Sequence, residues 1–102
     1  MTRKKLDKLW NALEAAWRTP QTADDLEALA RMCERRMRSG GNHPVWVTDH
    51  FPHRPLPIER HGGNPPVPPH VKKVILSGLE ADAEAWEYEF ERQKKNGSGE
   101  VK

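Results

Sequence analysis

Cysteine is almost absent from this 102-residue chain: Cys33 stands alone, so neither an intramolecular disulfide nor a thiolate-rich metal site can be built. There is no apolar run of the roughly 18 residues that would read as a membrane span. The basic start Arg3-Lys4-Lys5 is like that of an export signal, but Asp7, Lys8, Asn11 and Glu14 interrupt the apolar stretch such a signal needs. These absences favour a reducing, cytoplasmic setting. No nucleophilic triad, phosphate-binding glycine loop or acidic metal cluster is apparent, so no cofactor is expected. Charge of one sign is also lacking, since the formal net charge is only +2, too little to name a partner by itself.

The distribution of charge says more than the sum. Between residues 31 and 73 the positives Arg31, Arg35, Arg36, Arg38, Arg54, Arg60, Lys72 and Lys73 face only Glu34, Asp49 and Glu59. The acids collect later, at Glu80, Asp82, Glu84, Glu87, Glu89 and Glu91. A basic middle suits an anionic ligand and the acidic stretch repels one, although a mixed solvated surface would look the same by charge alone. Aromatic residues make up 7% of the chain, but Trp10, Trp17, Trp46 and Trp86 are among them and are spread from the first patterned segment to the last.

The length allows one modest core. Leu6, Leu9, Leu13 and Trp17 recur at helical spacing after a capping Thr2, and Thr19-Pro20 ends that helix. Thr22 before Asp24 and Asp25 marks a second start, with Leu26, Leu29, Ala30 and Cys33 as its apolar face. Arg36-Met37-Arg38 reads as a short strand, Ser39-Gly40-Gly41-Asn42 as a turn, and Pro44-Val45-Trp46-Val47-Thr48 as a second strand. The third, Leu56-Pro57-Ile58-Glu59-Arg60, is demoted towards an edge by its proline. Residues 61–69, rich in proline and glycine, cannot be regular structure. The helical period then returns at Val71, Val74, Ile75 and Leu79 and continues through Ala83, Trp86 and Phe90, with Gly78 weakening the middle. This order predicts an α+β fold in which two helices back three antiparallel strands, preceded by an N-terminal helix. The division expected is residues 1–20 as a helical extension, 21–95 as the α+β domain with an extended last helix, and 96–102 as a flexible tail.

Two segments together resemble the HicA family of small toxins. Ser39-Gly40-Gly41-Asn42-His43 before Val45-Trp46-Val47 is similar to the family's glycine-histidine turn leading into its second strand. Pro57-Ile58-Glu59-Arg60-His61-Gly62-Gly63-Asn64, with Val67-Pro68-Pro69 and residues 71–79 after it, resembles the third strand, the Pro-x-His-Gly turn and the helix that follows. The resemblance spans residues 24–79. It implies a double-stranded-RNA-binding-domain-like core and an mRNA-cleaving toxin held in check by a cognate antitoxin protein. Asn42 stands between the glycines and His43, one residue more than the family pattern.

The resemblance makes His43 the catalytic residue, a general acid or base in metal-independent RNA cleavage, which suits an imidazole that titrates near neutral pH. Arg36, Arg38, Arg60, Lys72 and Lys73 are the candidate phosphate contacts, since A-form RNA is gripped mostly through its backbone. Trp46 could stack on a base, though a mid-strand aromatic more often lies in the core. His61 has the place of a loop-holding histidine. His50 and His53, spaced H-x-x-H, fall short of the three or four protein ligands that zinc requires, so no metal is expected. The acidic half of the last helix is expected to serve contacts between protein chains, by self-association or by antitoxin docking. The alternative class is a non-catalytic RNA-binding or protein-binding module on the same scaffold.

Overall fold

A computed structural model describes residues 1–38 and 44–100, with only the backbone described for 95–100. The elements are α1 (Arg3–Arg18), α2 (Ala23–Met32), β1 (Arg36–Arg38), β2 (Val45–Val47), β3 (Leu56–Pro57) and α3 (Pro69–Glu100). The strands form one antiparallel sheet in the order β1-β2-β3, so the expected α+β order of helix, helix, three strands and long helix is the fold observed.

Helices α1 and α2 start where a side chain satisfies an orphan amide. Thr2 accepts from the Lys5 N–H at 3.1 Å, and Thr22 and Asp25 form a reciprocal capping box at the start of α2. Pro69 opens α3, where its missing N–H costs nothing and its fixed φ suits a helix. On α1 the buried stripe is Leu6, Leu9, Leu13 and Ala16. Trp17, expected to close that stripe, lies one step off it and is 37% exposed, with its indole donating to Glu80 at the helix surface.

Helix α1 runs antiparallel to α3. Its first turn meets the later part of α3 through Arg3 and Glu87 (2.5 Å), and its last carbonyls, on Trp17 and Thr19, accept from Lys72 Nζ at 3.2 and 3.1 Å. Because Leu6, Leu9 and Leu13 join Leu26, Ile58, Ile75 and Leu79 in one cluster, residues 1–20 are part of the core and not an appendage to it. Helix α3 continues past Asn96 to Glu100, because adding residues to a helix already fixed by packing is far easier than starting one.

The sheet is small. Val45 pairs with both Arg38 and Pro57, and Trp46 with both Met37 and Leu56. Strand β3 stops after two residues where five were expected, since Pro57 has no N–H to give, yet Ile58 beyond it is fully buried. The proline-rich segment after it is not adrift: Thr22 bridges Pro66, and the Val67 N–H reaches the Gln21 carbonyl at 2.8 Å.

Gly78 explains itself through packing. A Cβ added there would stand 2.7 and 2.9 Å from the two terminal methyls of buried Leu56, so the absent side chain is what lets β3 lie against α3. Gly78→Ala should therefore destabilise the native chain by about 1 kcal/mol, overpacking outweighing the gain in helix propensity. In a Leu56→Ala background the same change should become stabilising by about 0.5–1 kcal/mol, the propensity term alone. Denaturant unfolding of the four proteins checks this, and an equal effect of Gly78→Ala in both backgrounds would show that the close approach is irrelevant.

Candidate functional site

Helix α2 ends in a turn that aims a charged side chain inward. Cys33 closes the helix, Glu34 takes a left-handed φ of 66°, and the N–H groups of Glu34 and Arg35 return to the carbonyls of Arg31 (2.9 Å) and Ala30 (3.0 Å). This is the double hydrogen bond that usually places glycine at the left-handed position and an apolar residue after it. Here the residue after it is Arg35, 4% exposed.

Arg35 finds its counter-ion on α3. Its Nε and Nη2 donate to the two oxygens of Asp82 at 2.6 and 3.0 Å, and its Nη1 donates to the carbonyls of Trp46 (2.8 Å) and Arg54 (3.1 Å). One guanidinium thus ties α3, β2 and the β2–β3 loop together. The fork geometry of arginine fits such a bidentate carboxylate contact, and the extra carbonyls occupy the donors that would otherwise be stranded.

A histidine completes the cluster. His53 Nδ1 lies 2.7 Å from Asp82 Oδ1, and the ring is partly exposed. Asp82, already held by Arg35, is an acceptor, so Nδ1 carries the proton and Nε2 is left as the ring nitrogen that can accept or donate one. Nε2 has no hydrogen-bond partner among the described residues. The loop holding His53 is clamped by aromatic contacts: Phe51 meets Trp86 edge-on at 4.9 Å, His50 lies 4.8 Å from the same ring, and Trp86 Nε1 donates to the Cys33 carbonyl at 3.2 Å. His53 and Arg54 border a cleft of about 360 Å³ walled by Pro52, Leu56 and Ala81. An imidazole oriented by a buried carboxylate at the rim of a cleft is an arrangement suited to moving protons or holding an anion.

The residues singled out from the sequence do not converge there. His43 lies outside the described residues. Arg36 is exposed and paired with Asp49 at 2.8 and 3.1 Å, and that hydrogen bond holds the Asp49 carboxyl below its ordinary value. Arg60 is bound to Asp24 at 2.5 Å and to buried Glu27, and Lys72 caps α1. Arg38 and Lys73 are exposed and have no ion pair among the described residues. Trp46 requires a correction. It is 3% exposed, with the Arg31 guanidinium 5.0 Å over its ring, so no face is open for a base to stack on. Its indole N–H has no partner among the described residues.

The acidic stripe on α3 is also partly spoken for. Glu80 takes Trp17, Asp82 takes Arg35 and His53, Glu87 takes Arg3 and Trp10, and Glu89 takes Arg92. The hydrogen bond from Arg3 holds the Glu87 carboxyl below its ordinary range.

Sequence reasoning missed Arg35, Asp82 and the orienting role of His53. One signal was present: Asp82 falls on the buried stripe of α3, seven residues after Ile75 and three after Leu79, where a carboxylate demands a buried partner. No protein-family model, curated protein or solved structure matches this chain. Among the described residues no helix is long and apolar enough to cross a membrane.

Cys33 is the one nucleophile of its kind, and the structure disarms it. Burial, reinforced by the negative charge of Asp82, pushes its thiol well above the ordinary range. Its reaction with a thiol reagent should therefore proceed only through unfolding, with a rate that rises with denaturant as global opening does. Fast modification of the native protein without denaturant would show that Cys33 is accessible.

Proposed function

We propose that this chain is an RNA-cleaving toxin of the HicA type, controlled by an antitoxin protein. What carries the reading is the order of elements joined to the resemblance: helix α2, three antiparallel strands in sequential order, then helix α3, with Ser39 to His43 preceding β2 in the sequence. That is the position where the resemblance puts the catalytic histidine.

In the proposed reaction the ribose 2′-oxygen attacks the adjacent phosphorus. The 2′-hydroxyl proton passes to a base, the new 2′-O–P bond forms as the P–O5′ bond breaks, and the departing 5′-oxygen takes up a proton. The products are a 2′,3′-cyclic phosphate and a 5′-hydroxyl. His43 supplies the proton transfer, and the substrate supplies the nucleophile. Arg38 and Lys73, exposed and without an ion pair among the described residues, are the cations best placed to meet the RNA backbone. Arg36 would have to leave Asp49 to join them.

A second reading, a non-catalytic RNA-binding or protein-binding module, draws on specific observations. Trp46 is buried, and Arg60 and Lys72 are engaged within the fold, which leaves fewer groups to hold a nucleic acid. The exposed later part of α3, with Tyr88 66% exposed beside Glu84 and Glu91, is the surface proposed for contact with an antitoxin or a second copy.

The two readings part at His43. Cleavage of a labelled mRNA by the purified chain should persist in EDTA, and His43→Ala should reduce it by roughly a hundredfold or more, within the range of about 10²–10⁴ that such groups contribute. The thermal midpoint should not move. A wild-type protein that cleaves no RNA and is harmless on expression would make the binding module the better description.

A further inference from the structure

The cleft beside His53 has no role in the reaction as described, yet basic side chains and an apolar wall meet there. We infer that it holds the phosphate of a single nucleotide unit, with Nε2 of the His53 ring in its doubly protonated form and the Arg54 guanidinium as donors and the apolar wall against the sugar or base.

Four observations converge on this. First, His53 is fixed rather than loose: Nδ1 is bound to Asp82 at 2.7 Å and the ring lies 5.4 Å from that of Phe51, so Nε2 has a defined position. Second, the basic side chains bordering the cleft are His53, Arg54 and Arg35, and no carboxylate among the described residues lines it. Asp82 sits behind the imidazole with both oxygens already used by Arg35 and His53. Third, the Arg54 side chain is exposed and has no partner among the described residues, while its backbone carbonyl is anchored by Arg35, so the chain is held and the guanidinium is available. Fourth, Pro52, Leu56 and Ala81 supply an apolar wall in a volume of about 360 Å³, more than a bare oxyanion fills.

The chemistry selects among anions. Arg54 and a protonated His53, both lining the cleft, offer N–H donors suited to a tetrahedral oxyanion with several acceptors, and charge-assisted bonds of this kind are the strong ones. A small carboxylate would leave donors unused and the apolar wall bare. Gly78 adds to the shape, because a side chain there would press on Leu56 and narrow the cleft. The site deepens the RNA reading by naming a place for one phosphate, and it rests on that reading only for RNA as the source of the nucleotide.

The test reads binding and not cleavage, so an inactive His43 would not affect it. The ring Cε1–H signal of His53 is followed in the labelled full chain, at fixed pH and ionic strength, while inorganic phosphate, cytidine 3′-monophosphate or acetate is added. Phosphate and the nucleotide should shift the signal saturably, the nucleotide at lower concentration, and acetate should not. Calorimetry should then show nucleotide affinity reduced about tenfold or more in His53→Asn, which keeps a donor for Asp82 but lacks Nε2, and in Arg54→Ala, whose carbonyl still serves Arg35. Both variants should keep the wild-type thermal midpoint, and Arg54→Ala carries the test if His53→Asn does not. Absence of a saturable shift, equal response to acetate, equal affinity for phosphate and nucleotide, or undiminished binding by Arg54→Ala would each overturn the assignment.

Discussion

Arg35 and Asp82 have side chains that are each 1% exposed, and neither could remain charged in that place without the other. Stripping water from a guanidinium or a carboxylate costs several kcal/mol, about as much as a small domain can lose, so the two must arrive together. Their meeting is therefore a constraint on the whole chain. It fixes how far α2 extends before its left-handed turn, which face of α3 points inward, and how closely β2 and the loop after it approach that helix. Three short strands with eight residues between them could hardly hold such an arrangement by their own ladder bonds.

The remaining contacts fall into place around that pair. The aromatic ring of Trp86, one turn beyond Asp82, receives Phe51 and His50, so the same face of α3 that holds the ion pair also holds the loop. Gly78, one turn before Asp82, lets Leu56 settle between sheet and helix. His53 is caught between these two anchor points and acquires its orientation as a result. A proton-exchanging group on an otherwise irregular loop is thereby given the fixed position that loops rarely provide on their own.

Much of this architecture is legible in the sequence, and the parts that are not share a cause. Caps and breakers are local chemistry, so Thr2, Thr22, Thr19-Pro20 and Pro69 place helix ends without reference to anything distant. β-Branched and aromatic residues located β2 in the same way, and the turn residues 39–42 placed β1 before it. What the chain could not show is which charges are spent on one another. Arg60 with Asp24 and Glu27, Lys72 with the carbonyls of α1, and Arg3 with Glu87 are pairs joined across 33 to 84 positions, and each turns a cation or anion that seemed available into a structural tie. Trp46 misled for a related reason: a strand residue can face the core or a ligand, and only the register with Met37 and Leu56 decides. Asp82 was missed too, although as a carboxylate on an apolar stripe it carried a local signal.

The claim that the fold is organised by a buried ion pair has a direct measure in the coupling energy between Arg35 and Asp82. Arg35→Met and Asp82→Leu should each cost about 3–5 kcal/mol, because each strands a buried charge. The double variant, which removes both charges, should cost at least about 2 kcal/mol less than the two singles together. Denaturant unfolding of the four proteins gives the answer. Additive costs would mean that Arg35 and Asp82 act independently, and that the sheet and α3 are held together by something else.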